Sequence, residues 1–203
     1  MTIKVTPLSV GPMANCCYLV SDGKDALLID PAWDIPTIEE ALTKNNLHLI
    51  GVLFTHGHFD HVKFSQTLLE KYRLKAYLEE SDVDLSGLAP AVLHTYRGDQ
   101  HLRIGPFEIT VLATPGHTAG CVCIQIGNNL FTGDTLFPGA CGRVDLPTSS
   151  PRAMAQSLKR IASLPEDTIV YAGHSYADRC RSSVGEEKLE NPFMRNALRG
   201  ENI

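Results

Sequence analysis

The sequence predicts an α/β fold in which β-sheets are covered by helices. Short apolar segments rich in Val, Ile and Leu recur along the chain, bounded by Gly, Pro, Asn or Asp, as is typical of strands. Segments in which apolar residues recur at helical spacing lie between some of them. Four of the apolar segments end in small residues followed by a histidine or an aspartate. This last feature predicts that the ends of strands carry the functional site.

Seven segments are expected to form strands, in addition to an N-terminal strand in which Ile3, Val5 and Pro7 alternate with polar residues. Cys121 and Cys123 alternate along one of the seven and are expected to pack as small apolar residues. The seven segments are CYLV (17–20), ALLID (26–30), LIGVLF (49–54), FEITVLA (107–113), CVCIQI (121–126), NLF (129–131) and TIVYA (168–172).

Three segments are expected to form helices, at 35–45, 62–72 and 151–163. Pro36 lies near the start of the first, where the fixed φ of proline suits the first helical turn. Met154, Leu158 and Ile161 recur at helical spacing in the third. No low-complexity segment, linker or short repeat interrupts the pattern.

Length and composition limit the possible functions. A chain of 203 residues with 43% hydrophobic residues is expected to form one domain, 1–203, with a sizeable core. A net charge of -5 without a basic run argues against nucleic acid or an anionic membrane as the partner. No apolar run approaches the ~20 residues needed to cross a bilayer. The first residues do not resemble a signal peptide, so we expect a cytoplasmic protein without a disulfide framework.

The segment His56-Gly57-His58-Phe59-Asp60-His61 places four potential metal ligands within six residues. His56 and His58 are two residues apart, so in an extended loop they project to the same side and can bind one ion. Asp60 and His61 follow where the loop turns into a helix and can face a neighbouring ion. Three further potential ligands each follow a later strand: His117, Asp134 and His174.

This pattern predicts a metal centre with two ions. A single histidine or aspartate in a loop is usually a surface or capping residue. Here, however, five of the eight histidines fall at these positions. Seven ligands exceed what one tetrahedral ion uses, whereas two ions bridged by a carboxylate use them all. Zinc is the first expectation, and iron and manganese accept the same imidazole and carboxylate ligands.

Four motifs, THGHFDH (55–61), TPGHTAGC (114–121), TGDT (132–135) and AGH (172–174), resemble the ordered motifs of the metallo-β-lactamase superfamily. The resemblance runs from about residue 14 to 194. It implies an αβ/βα sandwich, with two facing mixed β-sheets, helices outside and the metals at one edge. It also implies that His56, His58 and His117 bind the first metal. Asp60, His61 and His174 would bind the second, and Asp134 would bridge the two.

The expected chemistry is hydrolysis by a metal-bridging hydroxide that attacks an electrophilic carbonyl. Asp60 is expected to act as a catalytic residue that orients the nucleophile or carries its proton. A thiol with a pKa of ~8.5 can leave as the thiolate without a strong general acid. Since the sequence offers no other obvious acid, a thioester is favoured over an amide as the substrate.

Smaller motifs narrow the resemblance to the glyoxalase II branch. The run from Gly133 to Arg143 is similar to that branch, in which a basic residue lies near glutathione. His174-Ser175-Tyr176 is similar to its His-x-Tyr, whose tyrosine contacts glutathione. Arg143 and Tyr176 are therefore the expected substrate-binding residues. The resemblance implies a thioester hydrolase that acts on hydroxyacylglutathione or a related small acyl-thiol.

Several alternatives stay open. We expect no counterpart of the C-terminal helical domain of the branch, and Val144-Asp145-Leu146-Pro147 stands where the branch usually has Phe-Glu-Gly-Thr. Arg143 and Asp145 are also similar to the corresponding pair of persulfide dioxygenases, which would use one iron on His56, His117 and Asp134. Arg143 can instead simply pair with Asp145, and Tyr176 can be a packed aromatic residue. A metal-binding sensor without turnover is a third possibility, and the protein is expected to be a monomer or a small homo-oligomer.

Overall fold

The structure is a computed structural model that describes residues 2–176 and 179–203. Two six-stranded mixed sheets face each other, and helices cover their outer faces. The αβ/βα sandwich expected from the motifs is confirmed.

The first sheet has the strand order β1-β2-β3-β4-β5-β6. Strands β1, β2 and β3 pair antiparallel, and β3 to β6 pair parallel. Helices α1 and α3 contribute buried leucines and an isoleucine to its outer face. The elements of this half are β1 (Lys4–Val10), β2 (Asn15–Ser21), β3 (Asp25–Ile29), α1 (Ile35–Lys44), β4 (His48–Leu53), α2 (Phe59–Val62), α3 (Ser65–Tyr72), β5 (Ala76–Glu79), α4 (Val83–Ser86) and β6 (Leu93–Tyr96).

The second sheet has the strand order β14-β13-β10-β9-β8-β7, with β10 and β13 parallel and the other neighbours antiparallel. Helices α5, α6 and α7 pack on its outer face, and β11 and β12 form a small hairpin. The elements are β7 (Gln100–Ile104), β8 (Phe107–Ala113), β9 (Val122–Ile126), β10 (Asn129–Gly133), β11 (Leu136–Phe137), β12 (Ala140–Cys141), α5 (Pro151–Ala162), β13 (Ile169–Ala172), β14 (Arg181–Ser183), α6 (Val184–Glu190) and α7 (Pro192–Arg199).

The central core lies between the two sheets. Tyr18 and Leu27 from the first sheet pack in one buried cluster with Phe107, Ile124 and Phe131 from the second. Because side chains alternate along a strand, the opposite faces of the same strands build two further clusters against the helices. Both sheets are therefore buried on two faces, which explains why their strands read as nearly continuous apolar runs.

All seven expected strands form, and so does the N-terminal strand. Cys121 and Cys123 are buried as expected. Among the described residues, no helix is both long enough and apolar enough to cross a bilayer.

The helices at 35–45 and 151–163 form as α1 and α5. The helix expected over 62–72 forms from Ser65 to Tyr72 as α3, and only its predicted start is wrong. The chain instead forms the short α2, breaks, and begins α3 at Ser65. Phe64, between the two, has a φ of 67°, which lies in the left-handed region and cannot continue a right-handed helix. As a result Asp60 and His61 lie on a separate single turn of helix.

Candidate metal centre

The potential ligands converge where four strands end. β4 leads into the loop with His56 and His58 and then into α2, which carries Asp60 and His61. The other three ligands follow the ends of strands in the second sheet: His117 after β8, Asp134 after β10 and His174 after β13. The site therefore lies at one edge of the sandwich and receives residues from both sheets.

His56, His58 and His117 form the first group, in which one potential ligand atom from each lies within 4.8 Å of the others. Nδ1 of His58 is 2.9 Å from Nε2 of His117. His56 and His117 are buried, and His58 faces the cavity described below. Three converging imidazoles of this kind suit a tetrahedral metal ion that keeps one open position.

Asp60, His61 and His174 form a second group of the same size. Nε2 of His174 is 3.3 Å from Asp60 Oδ2 and 3.3 Å from His61 Nε2. Asp134 lies between the two groups, with Oδ2 3.4 Å from His117 Nε2 and Oδ1 3.3 Å from His61 Nε2. This is the position that a bridging carboxylate would occupy between two ions.

Nε2 of His56 is buried without a hydrogen-bond partner, and Oδ1 of Asp134 is buried with only the 3.3 Å ion-pair contact to His61 Nε2. Buried polar atoms are rarely left without a partner, so both atoms point to a missing electrophilic partner. A Cβ at Gly173 would lie 2.5 Å from that Asp134 oxygen and 2.8 Å from His61 Cε1. A side chain there would displace the ligands, which explains the glycine. The cluster therefore fits two divalent cations.

The outer nitrogens of three ligand histidines are held by oxygen acceptors. His61 Nδ1 lies 3.0 Å from Asp30 Oδ2, His117 Nδ1 2.9 Å from the Arg143 carbonyl, and His174 Nδ1 2.8 Å from the Met13 carbonyl. An imidazole that donates from Nδ1 presents the lone pair of Nε2 to a metal. These contacts therefore orient the rings for metal binding.

Three residues that hold the ligands or their loops in place were not predicted from the sequence. Asp30 holds His61, and Asn15 donates from its side-chain amide to Asp60 Oδ2 over 2.9 Å. Asp82, fully buried, accepts hydrogen bonds from the loops that carry the histidines. Asp30 had a detectable pattern, because it also follows an apolar strand, as the predicted ligands do. Asn15 and Asp82 have no comparable pattern.

Burial and neighbouring charges shift the pKa values of the ligands in two different ways. Burial lowers the pKa of His56 and of His58, which favours the neutral imidazole that binds metals. Burial opposes charge on His174 and on Asp60 as well. At these two residues, however, hydrogen bonds and charges of neighbouring groups outweigh the effect of burial. The pKa of His174 therefore rises to about 9, and that of Asp60 falls. In the metal-free protein His174 is therefore protonated at neutral pH, and metal binding must release a proton.

A cavity of about 520 Å³ opens above the cluster. Its floor includes His58, Asp60, His117, Asp134 and His174, and its wall includes Met13, Phe59, Phe137, Cys141, Arg143 and Tyr176. The volume suits a small-molecule ligand. The mainly apolar wall, with one guanidinium and one phenol, suits a substrate that has both apolar and acidic parts.

Both expected substrate-binding residues line this cavity. Arg143 donates from Nε to Asp145 Oδ1 over 2.9 Å, so the pairing considered as an alternative is present, and the guanidinium stays exposed. The ring of Tyr176 stacks on His174 at 4.7 Å between centroids and is 65% exposed. These positions are compatible with substrate contact, and that role stays a prediction.

Cys141, Lys188, His94 and His101 are further candidates for a catalytic role, because such side chains can carry protons or act as nucleophiles. Burial raises the pKa of Cys141 to about 11, which argues against a nucleophilic thiolate. Lys188 donates to Glu166 and does not line the cavity. His94 and His101 are exposed on β6 and β7, outside the cavity wall.

Comparison with known proteins agrees with this geometry. The family profile described as Metallo-beta-lactamase superfamily matches residues 10–174. The chain is 36% identical to the probable polyketide biosynthesis zinc-dependent hydrolase BaeB of Bacillus velezensis, with 82% of this chain and 75% of BaeB aligned. It is 39% identical to the hydroxyacylglutathione hydrolase of Tolumonas auensis, with 88% of this chain and 68% of that enzyme aligned.

Two solved structures share the fold over nearly the whole chain. ETHE1 from Myxococcus xanthus superposes with a TM-score of 0.84 at 29% identity, covering 96% of this chain and 90% of ETHE1. TTHA1623, solved in a di-iron-bound form, gives a TM-score of 0.79 at 35% identity and covers 93% of this chain and 100% of its own. Both zinc and iron therefore occur in the names of proteins similar to this one.

Proposed function

The chain belongs to the metallo-β-lactamase superfamily, and from that premise we propose that it is a dinuclear metal-dependent hydrolase of acyl-thiols, with hydroxyacylglutathione as the first substrate to test. The observation that carries the proposal is the cavity, which joins the ligand cluster to Arg143 and Tyr176 on one wall. The 39% identity to a hydroxyacylglutathione hydrolase supports the same substrate class.

Two ions would be held by the two ligand groups described above. His56, His58 and His117 would bind one, Asp60, His61 and His174 would bind the other, and Asp134 would contact both. When bound, two divalent ions supply Lewis acidity and lower the pKa of a water from 15.7 to roughly 7. Zinc is our first expectation for both positions.

Asp60 is proposed to assist the nucleophile. Its Oδ2 already accepts from Asn15 and lies 3.3 Å from His174 Nε2, and the residue lines the cavity floor. Its pKa is low because neighbouring donors and positive charge outweigh the effect of burial, so the carboxylate is ionised at neutral pH. An ionised carboxylate in this position can orient an attacking water by accepting its hydrogen bond.

The cavity wall is proposed to bind the thiol portion of the substrate. A substrate carboxylate can replace Asp145 as the partner of the exposed Arg143 guanidinium, because both oxygens of a carboxylate match its two donors. Tyr176 presents its ring and hydroxyl beside His174. Phe59 and Phe137 add apolar surface to the cavity lining, and the ring of Phe137 packs against Tyr176 at 5.6 Å between centroids.

The leaving group needs little help from the protein. A thiol with a pKa of ~8.5 departs as the thiolate, whereas an amide nitrogen needs a proton. Among the described residues of the cavity wall, no cysteine or lysine is suited to protonate an amine, since the pKa of Cys141 is raised and Lys188 lies elsewhere. This favours a thioester over an amide.

The test is turnover of S-lactoylglutathione by zinc-loaded protein, followed by the released thiol. We expect hydrolysis that a chelator abolishes and added zinc restores. His58→Ala is expected to lower kcat/KM by at least roughly 100-fold, because it removes a ligand from the first site. His101→Ala removes an exposed histidine outside the cluster and serves as the matched control. Full activity in His58→Ala, or activity that survives the chelator, would refute the proposal.

A persulfide dioxygenase is the second candidate, and the likeness to ETHE1 favours it. That reaction needs one iron and consumes oxygen, whereas the hydrolase uses two metals and consumes none. Metal content and oxygen uptake with glutathione persulfide therefore separate the two. Oxygen consumption by a protein with one iron would select the dioxygenase.

A further inference from the structure

Two cysteines lie beside each other at the base of the loop that carries His174. Cys16, in β2, faces the core between the sheets, and Cys180, just before β14, packs against the same core. Tyr18 adjoins both, and its hydroxyl contacts the Cys180 carbonyl at 3.5 Å. Strand β2 of the first sheet and the residue just before β14 of the second sheet thus place two cysteines in one core cluster.

The backbone ties this pair to the metal centre. The Cys16 amide donates to the Gly173 carbonyl over 2.8 Å, and the Ala172 amide donates to the Cys180 carbonyl over 2.8 Å. Both contacts fall on the two residues directly before His174. A change in the spacing of the two cysteines is therefore transmitted to the backbone that positions His174.

Cys180 has the surroundings of a reactive thiol. It is partly exposed and lies between Arg179 and Arg181, both of which are exposed. The neighbouring Cys16 thiol lowers the pKa of Cys180 to about 6, while the pKa of Cys16 rises. Burial gives Cys123 a pKa of about 12, so that thiol is inert. Partial exposure and thiolate character together distinguish oxidisable cysteines from structural ones.

We propose that Cys16 and Cys180 form a peroxide-sensitive thiol pair, in which Cys180 is oxidised and Cys16 then closes a disulfide with it. The oxidant is hydrogen peroxide or an organic hydroperoxide.

The reaction proceeds in two balanced steps. The Cys180 thiolate attacks one peroxide oxygen, so an S–O bond forms and the O–O bond breaks. The sulfur is oxidised by two electrons, and the hydroxide that leaves takes up a proton to become water. The Cys16 sulfur then attacks the sulfenic sulfur, forming the S–S bond, breaking the S–O bond and releasing a second water. Two thiols and one hydrogen peroxide thus become one disulfide and two waters.

A disulfide requires the sulfurs to approach to ~2.05 Å, closer than two thiols in van der Waals contact. Cys180 would therefore be drawn toward β2, together with the backbone at Ala172 and Gly173. His174 and Tyr176 lie on the segment between that backbone and Cys180, so we expect oxidation to lower activity. This consequence rests on the proposed function, whereas the thiol chemistry does not.

The first experiment treats the zinc-loaded full chain with one equivalent of hydrogen peroxide, followed by alkylation and peptide mass mapping. We expect a crosslinked peptide pair, two hydrogens lighter than the sum, joining Cys16 to Cys180. Fragmentation separates Cys16 from Cys17, which belongs to the other core cluster on the opposite face of β2. Cys141 is the internal control and should stay reduced. A protein that keeps all six thiols, or that oxidises Cys141 first, would overturn the proposal.

Two variants test separately whether Cys16 resolves the sulfenic acid and whether it lowers the pKa of Cys180. In Cys16→Ser the sulfenic acid on Cys180 should accumulate and be trapped by dimedone, because no thiol resolves it. In Cys16→Ala the pH midpoint for alkylation of Cys180 should move from about 6 toward ~8.5, since the neighbouring thiol is lost. An unchanged midpoint would show that Cys16 does not activate Cys180 and would contradict the assignment.

Activity is measured separately. Peroxide should lower S-lactoylglutathione turnover of the native chain several-fold, and a phosphine reductant should restore it. Cys180→Ser should keep its own starting rate under the same treatment. Equal losses in both proteins would refute the link between the disulfide and His174. If the native chain has no thioesterase activity, the disulfide itself still decides the thiol proposal.

Discussion

Asp30 is a single buried carboxylate that organises one ligand of the second metal. Its Oδ1 accepts from the Thr55 amide over 2.7 Å, and its Oδ2 accepts from the Thr55 hydroxyl over 2.6 Å. The same Oδ2 lies 3.0 Å from His61 Nδ1. The carboxylate thus fixes the His61 ring and anchors the residue that precedes His56. We infer that Asp30 is a positioning residue for metal binding.

Asp30→Asn is expected to weaken metal binding at the second site by roughly 10–100-fold, because His61 loses a charged acceptor that raises its basicity. The measurement is a titration of apoprotein with zinc against a chromophoric chelator. In Asp30→Asn the side-chain carbonyl can still accept from the Thr55 amide, so the first site should lose less affinity than the second, and one of the two binding steps should change more. Asp25→Asn, at the start of the strand that Asp30 follows, alters a carboxylate that contacts the exposed His48 and is the control. If Asp30→Asn and Asp25→Asn bound zinc at the second site with equal affinity, the proposed role of Asp30 would be contradicted.

At the level of residues, the sequence predicts the groups that would touch the metals but not those that support them. His56 and His58 are recognisable because ligand-type residues are dense within six positions. Asp82 and Asn15 act through other residues and are isolated in the sequence. A lone aspartate is more often a cap or a solvated side chain, so only the three-dimensional contacts of Asp82 reveal its role.

A short 3₁₀ turn, Glu80–Asp82, joins the two loops that carry the first group of ligands. Asp82 Oδ2 accepts from the Gly57 amide over 2.9 Å and from the Thr118 hydroxyl over 2.6 Å. Its Oδ1 accepts from the Gly120 amide over 2.9 Å. One carboxylate therefore holds the His56–His58 loop at a set distance from the loop of His117.

Asp82→Asn should reduce the free energy of unfolding by about 3 kcal/mol, because the amide NH2 cannot accept from donors that the buried carboxylate now satisfies. Chemical denaturation of the metal-free protein measures this change. Asp84→Asn removes an exposed carboxylate two residues further on and should be nearly neutral. If the two variants lost the same stability, the Asp82 contacts would not be the cause.

At the level of elements, apolar runs predict strands well only where both faces are buried. β8 has the predicted bounds, 107–113, and lies inside its sheet. β6 and β7 are edge strands with exposed positions, so they lack an apolar run and were not predicted. The break between α2 and α3 was also missed, because spacing of apolar residues does not report the left-handed φ of Phe64.

At the scale of the whole molecule, the ligand cluster connects the two sheets. His56 and His61 follow a strand of the first sheet, whereas Asp134 and His174 follow strands of the second. Nε2 of His56 is buried without a hydrogen-bond partner, Oδ1 of Asp134 is buried with only its contact to His61, and the imidazoles crowd one another. In the metal-free protein this crowding is unfavourable, so bound cations should stabilise the contact between the two halves.

Metal binding should consequently raise the thermal stability of the entire chain. Zinc at 100 times its Kd stabilises by about 2.7 kcal/mol through mass action alone. For a chain of this length that corresponds to a Tm increase of roughly 5–10 °C. Scanning calorimetry of apoprotein with and without zinc measures it. His56→Ala should show a smaller increase, because the first group loses one of three ligands, while His101→Ala should match the native chain. The same zinc-dependent increase in His56→Ala as in the native chain would show that the cluster does not join the sheets through metal.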